Sequence, residues 1–306
     1  VEVQSTVTQN TSYGIGDLSL RTGVPVRTIR FYCDEGVLES VRSAGGHRRF
    51  DAGAVDRLTL VRRLRALGLG LPAITDVLTG RRALAEAIAV ERARTDAELT
   101  ALAWRRAALR AVEQADAADR AERLALLSAA HDGRAARDEL VAFWRRFFAA
   151  PLPPELFHTF VAMNVPEPPA DPTPEQVVAY AELVTLTSAL AAPFVDRARA
   201  HAHLDETALL TAVGAACELV VPLVAAGLRP SPGAELDQFV DAHAAVRGRR
   251  DTPEFRRELH AYTAPDRDPR MLRYWTLVGE VSGEATTTGS WHGWLLDALE
   301  LSLNPA

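Results

Sequence analysis

The sequence predicts a mainly α-helical chain: a small N-terminal helix-turn-helix with a β-hairpin, one long helix, and an all-α C-terminal domain. Three observations predict it. Short apolar-periodic segments punctuated by Gly fill residues 13–80, and no Pro or Gly occurs from Arg81 to about Arg123. After Phe50 no segment shows the alternation expected of a half-buried strand. The expected boundaries are a disordered leader at 1–12, the helix-turn-helix at 13–80, the long helix at 81–123 and the all-α domain at 124–306.

Leu18 to Thr22 reads as a short helix closed by Gly23, and Pro25 restarts the chain. Val26 to Cys33 reads as a second helix, with Val26, Ile29 and Cys33 on one side and Arg27, Thr28 and Arg30 mostly on the other. Gly36 ends it. Two helices joined by a Gly-containing turn form a helix-turn-helix. Val37 to Phe50 has β character around a Ser43-Ala44-Gly45-Gly46 turn, which fits a small hairpin, or wing. Asp51 is placed to cap a third helix, where Val55, Leu58, Val61 and Leu64 recur every three residues until Gly68. A fourth helix has Pro72 in its first turn, buries Ile74, Val77 and Leu78, and ends at Gly80.

The long helix is dominated by Ala, Arg and Glu. Leu84, Ile88, Leu102, Leu109 and Val112 follow a repeat near 3.5 residues, interrupted by Glu91, Thr95, Glu98 and Arg105. A long polar helix with a thin apolar seam cannot bury itself alone, so a partner helix from a second chain is expected. Packing on its own C-terminal domain is the alternative.

Beyond it, Asp138 to Ala149 is aromatic-rich, and Pro151-Leu152-Pro153-Pro154 breaks it. Pro166 to Pro174 reads as a loop, with Thr173 capping the next helix. Helical patterns follow at about 175–203, 205–227, 234–247, 252–262, 268–285 and 290–303.

The 306 residues carry a net charge of −6, which hides an asymmetry. Residues 13–82 hold 12 Arg against 7 acids, a balance of +5, and the rest stands at −11. All 34 basic residues are Arg, so Arg richness alone says little. A basic head on an acidic body suggests that the head meets a polyanion. No run of ~18 uncharged apolar residues occurs, so no membrane-spanning helix is expected. The polar start lacks a signal pattern, and with only two cysteines, Cys33 and Cys217, a reducing cytoplasm is the expected setting.

The stretch Tyr13–Leu78 resembles the MerR family of transcription regulators. Tyr13-Gly14-Ile15-Gly16-Asp17-Leu18 is similar to the family's opening helix, and Thr22-Gly23-Val24 to its turn. Val26-Arg27-Thr28-Ile29-Arg30-Phe31-Tyr32 resembles the recognition helix, with Gly36-Val37-Leu38 following. Arg42 and Gly46-His47-Arg48-Arg49-Phe50 resemble the wing. Arg62 to Gly68 and Ile74 to Leu78 complete the match. The resemblance implies an antiparallel dimerisation coil at the long helix. It also implies a homodimer on a pseudo-palindromic promoter that distorts DNA in response to an effector, and so acts on RNA polymerase indirectly. Double-stranded DNA, a second copy and a small organic effector are the partners expected, and no membrane.

The residue chemistry agrees. Arg27, Thr28 and Arg30 project from a helix small enough for a major groove, where Arg pairs with guanine O6 and N7. Tyr32, Arg42, His47, Arg48 and Arg49 suit phosphate oxygens on either side. Arg62, Arg63 and Arg65 could equally solvate the surface or pair with acids.

The C-terminal domain is expected to sense a molecule. Residues 81–150 have no Cys, against a metal-sensing thiol cluster, and an iron–sulfur cluster lacks ligands. Asp241-Ala242-His243-Ala244-Ala245-Val246 begins like a cobalamin motif but has Val246 in place of its Gly. His201 and His203 with Glu206 are weak metal candidates beside an exposed helix end. No nucleophile, base and orienter stand together, so no enzyme, cofactor or metal is expected. An organic ligand remains, with Phe143, Trp144, Phe147, Phe148, Tyr180, Tyr274, Trp275, Trp291 and Trp294 as candidate walls. Core packing competes for each of them. Two rivals are a drug-sequestering protein with a vestigial head and an effector-independent repressor.

Overall fold

The computed structural model describes residues 12–304, so of the expected leader only Ser12 falls among the described residues. The fold is mainly α-helical, with one small sheet. Two compact units divide between Leu99 and Thr100.

In the N-terminal unit, β1 (Tyr13–Gly14) precedes α1 (Ile15–Thr22) and α2 (Val26–Asp34). The hairpin β2 (Val41–Arg42) and β3 (Arg48–Phe50) follows, then α3 (Ala54–Ala66) and α4 (Leu71–Leu78). The sheet order is β1-β3-β2, antiparallel throughout, with Tyr13 opposite Phe50 and Val41 opposite Arg49. Tyr13 and Gly14 are therefore strand, not the start of the opening helix. Pairing with β3 supplies hydrogen bonds for a segment too short to signal a strand by itself.

Leu18, Ile29, Phe50, Leu58 and Ile74 are fully buried and form this unit's core with Tyr32, Val37 and Leu64. Two expectations shift in detail. Asp51 does not cap α3: Gly53 is the N-cap, and the Asp51 carboxylate accepts from Arg57 at 3.1 Å instead. On α4 only Ile74 is fully buried, while Val77 and Leu78 are half-buried against the core.

The long helix α5 spans Leu84–Glu113 rather than reaching Arg123. The chain turns through Asp116–Asp119 and restarts as α6 (Arg120–Ser128) without Gly or Pro. The Trp104 indole N–H donates to the Ala130 carbonyl at 2.9 Å, which holds the end of α6 back against α5. Asp116 and Asp119, poor in helix interiors, favour this break.

The C-terminal unit continues with α7 (Gly133–Arg146), α8 (Pro154–Asn164), α9 (Pro174–Ala200) and α10 (Glu206–Ala225). Then come α11 (Ala234–Ala245), α12 (Pro253–Tyr262), α13 (Pro269–Ser282) and α14 (Thr288–Leu303). Thr173 caps α9 as expected, accepting from the Gln176 N–H while the Gln176 side chain accepts from the Thr173 N–H. Helix α8 was hidden behind the prolines, which here open a helix at its first positions. Helices α7, α9 and α13 enclose one core, and α10, α11, α12 and α14 enclose another.

Helix α10 bears on the expectation about membranes without overturning it. By length and composition it is apolar enough to cross one. Glu218 breaks its apolar run, and Ala216, Cys217 and Val220 pack into the second core.

Helix α14 approaches α13 at Gly289, where an added Cβ would lie 1.9 Å from the Trp275 ring. Gly289→Ala is therefore expected to destabilise the C-terminal unit by about 1–3 kcal/mol through overpacking. A urea titration checks this, and an unchanged midpoint would contradict the packing described.

Candidate nucleic-acid interface and ligand cleft

The 3.6-residue period of α2 sorts its side chains. Ile29 and Tyr32 face the core, which leaves Arg27, Arg30, Phe31 and Asp34 on the opposite, exposed face. Thr28 sits half-buried between them. The turn before α2 depends on Gly23, whose φ of 67° lies in the left-handed region, and its N–H closes onto the Ser19 carbonyl at 2.8 Å. Arg62 donates to the Thr22 carbonyl and Arg65 to the Leu69 carbonyl, so both brace the scaffold. Arg63 is exposed.

The wing is held at its turn by Ser43 N–H to the His47 carbonyl and Gly46 N–H to the Ser43 carbonyl, each 2.8 Å. Arg48 ties the wing to α2. Its guanidinium donates to the Asp34 carboxylate at 2.7 Å and to the Arg30 carbonyl at 3.3 Å. The Asp34 hydrogen bond holds the Arg48 pKa above its ordinary value. Cys33, beside it, is pushed up by burial, and the Arg48 charge opposes that shift. Arg49 donates to the Ser12 hydroxyl and carbonyl.

The eight expected contact residues thus separate. Arg27, Arg30 and Arg42 are exposed and have no ion-pair partner among the described residues, and His47 is exposed at the wing turn. Arg48 and Arg49 are engaged within the protein. Tyr32 is buried in the head core, because the helical spacing that exposes Arg27 turns it inward. Sequence reasoning missed Asp34, the clasp for Arg48, and the exposed ring of Phe31. The i, i+4, i+7 spacing of Arg27, Phe31 and Asp34 carried that signal.

A braced second helix with exposed arginines beside a two-stranded wing defines a winged helix-turn-helix of the kind that docks on DNA. Residues 13–81 match the family described as MerR HTH family regulatory protein, so this segment of the chain is a MerR-type helix-turn-helix domain. It is 41% identical over 73 residues to the nodulation protein NolA of Bradyrhizobium sp. (strain NC92), covering 24% of this chain and 31% of that protein. It is 40% identical over 68 residues to the HTH-type transcriptional activator TipA of Streptomyces coelicolor, covering 22% and 27%. The HTH-type transcriptional regulator HmrR of Rhizobium leguminosarum bv. viciae is 39% identical over 57 residues, covering 19% and 44%. The chain spans about a third of the length of the first of these relatives. No solved structure matches it.

In the C-terminal unit most of the expected wall aromatics are core. Phe143, Trp144, Tyr180 and Tyr274 are buried among α7, α9 and α13, and Trp294 lies in the other core. Their polar atoms are satisfied. Trp144 donates to the Tyr274 hydroxyl at 2.8 Å, and that hydroxyl donates to the Asn164 carbonyl at 2.8 Å. The Tyr180 hydroxyl donates to the Pro166 carbonyl, and the Trp294 indole to the Leu228 carbonyl. Burial drives the Tyr180 and Tyr274 phenols upward, so both stay neutral. Trp275 packs edge-on against Tyr274, and Trp291 packs against the second core.

Phe147 and Phe148 do line a cleft, opposite Arg197, His201, His243 and Tyr262. His201 Nδ1 meets the Arg197 carbonyl at 3.0 Å, and Glu206 accepts from the Ala149 and Ala150 N–H groups. No group of three metal-ligating side chains occurs among the described residues.

Burial holds the pKa of His243 well below its ordinary value of 6.5, and also lowers that of His292. Both are neutral in the folded state, whereas the unfolded chain protonates them near 6.5. Their contribution is therefore intact above that pH and is lost as pH falls toward the depressed values. The urea midpoint should drop between about pH 7.5 and about pH 5.5. In His292→Gln the drop should be smaller, and an equal drop would contradict the assignment.

Proposed function

We propose that this protein is a DNA-binding transcription regulator. It acts as a homodimer on a pseudo-palindromic promoter, and its C-terminal unit senses a small organic molecule. The observation that carries the reading is the face of α2, where Arg27 and Arg30 stand exposed and unpaired beside the wing of a MerR-family domain. Arg on such a helix reads guanine O6 and N7 in the major groove, and Arg42 and His47 suit the flanking phosphates. The likeness to TipA, a transcriptional activator, and to HmrR, a transcriptional regulator, supports the same role.

The dimer rests on α5. Leu84, Ile88, Leu99, Leu102 and Leu109 are exposed along it at helical spacing among the described residues. Exposed leucines repeated on one long helix are what a partner helix buries. Two heads on a twofold axis then meet two half-sites about one helical turn apart. Ligand binding would bias the deformation of the DNA between them, and so act on RNA polymerase indirectly.

Two outcomes follow. Arg30→Ala should cost about 1–3 kcal/mol of binding to a selected duplex and relax sequence preference, whereas Arg42→Ala should weaken all sequences alike and lower the salt slope by about one. Fluorescence anisotropy across a salt series measures both, and unchanged affinity in both variants would contradict the interface. Leu102→Glu with Leu109→Glu should yield monomers in sedimentation equilibrium. A dimer that survives both changes would place the interface elsewhere.

A further inference from the structure

The cleft of the C-terminal unit has an interior volume of about 130 Å³ and opens between its two helical cores. Its flat walls are Phe147, Phe148 and Tyr262, and Leu209 lies along the side formed by α10.

The charges around this space are already engaged. Arg197 and Asp266 form a two-point ion pair, at 2.6 and 3.1 Å, with side chains only 11% and 13% exposed. The Arg197 guanidinium also lies within 5.0 Å of the Phe147 ring and 5.3 Å of the Tyr262 ring. Glu206, in the first turn of α10, is held by the Ala149 and Ala150 N–H groups. Among the described lining residues, Arg197, Asp266 and Glu206 are all engaged, so an incoming ion meets no unengaged arginine or carboxylate on the walls. A lone charge carried into such a space loses its hydration without compensation.

His243 offers a further polar atom on the lining. The Arg247 guanidinium lies 3.3 Å from His243 Nδ1, and arginine only donates, so Nδ1 accepts. The neutral imidazole then carries its proton on Nε2, and His243 lines the cleft. Nε2 has no hydrogen-bond partner among the described residues, although the residue is only 5% exposed. It is a donor on a cleft-lining side chain, open to an acceptor brought by a ligand.

We infer that this cleft binds an uncharged, planar aromatic molecule whose carbonyl oxygen accepts a hydrogen bond from His243. Its regulatory consequence, though not the binding itself, rests on the proposed sensing role. The flat rings supply stacking area, and the His243 donor sets orientation.

Isothermal titration of the full chain with coumarin, a neutral planar lactone, and with coumarin-3-carboxylate, the same ring bearing an anion, tests this. Coumarin should bind at one site per chain, and the carboxylate at least about tenfold more weakly. Leu209→Trp, which fills the cleft, and Phe148→Ala, which removes a wall, should each weaken coumarin about tenfold with an unchanged thermal melt. Phe148 is half-buried, so its variant reports on the cleft even where the Trp variant fails to fold. Equal or tighter binding of the carboxylate would overturn the inference. So would binding unaffected by Phe148→Ala, or no heat from millimolar coumarin. Coumarin that binds yet leaves DNA affinity unchanged would count against the sensing role and leave the cleft assignment standing.

Discussion

Burial of Ile29 and Tyr32 is the constraint on which the head depends. Those two side chains, packed with Leu18 and Leu58, fix the rotation of α2 about its axis. Once the rotation is fixed, the helical period puts Arg27, Arg30 and Phe31 outside. The orientation of the α2 face is thus a by-product of the core. Gly23 and the Arg62 bond to the Thr22 carbonyl set where α2 begins. The Arg48–Asp34 clasp sets where the wing lies relative to it.

The C-terminal unit solves a different problem. It buries large aromatic residues with polar tips, and each tip must find a partner. The chain of hydrogen bonds from Trp144 through Tyr274 to Asn164 joins α7, α13 and α8. Tyr180 secures the loop at Pro166 in the same way. These bonds make a rigid frame, and the cleft stands beside it, where the charges of Arg197 and Asp266 are buried as a pair. Removing either partner would strand the other, which ties the cleft's shape to that ion pair.

The head was legible in the sequence because its signals are short-range. The Gly23 turn, the three-residue apolar spacing of α3 and the Gly-rich wing turn each lie within a few residues of the structure they specify. The strand Tyr13–Gly14 escaped because its partner, β3, lies some 36 residues away in sequence. The break between α5 and α6 escaped because it uses aspartates and a tertiary bond from Trp104 rather than Gly or Pro. The aromatics were harder still. Trp144 and Tyr274 are 130 positions apart and look alike as wall or core until the fold joins them. Of nine candidates, Phe147 and Phe148 line the cleft, while His243, which also lines it, sat in a motif set aside for lacking a glycine.

The account turns on two copies of one exposed helix face entering one duplex. Hydroxyl-radical footprinting on a duplex selected from random sequence by the full chain examines that directly. The account predicts two protected patches, related by a twofold axis and centred about 34–36 Å or a multiple of that apart along the duplex. A single patch, or a selection that enriches no sequence, would contradict it.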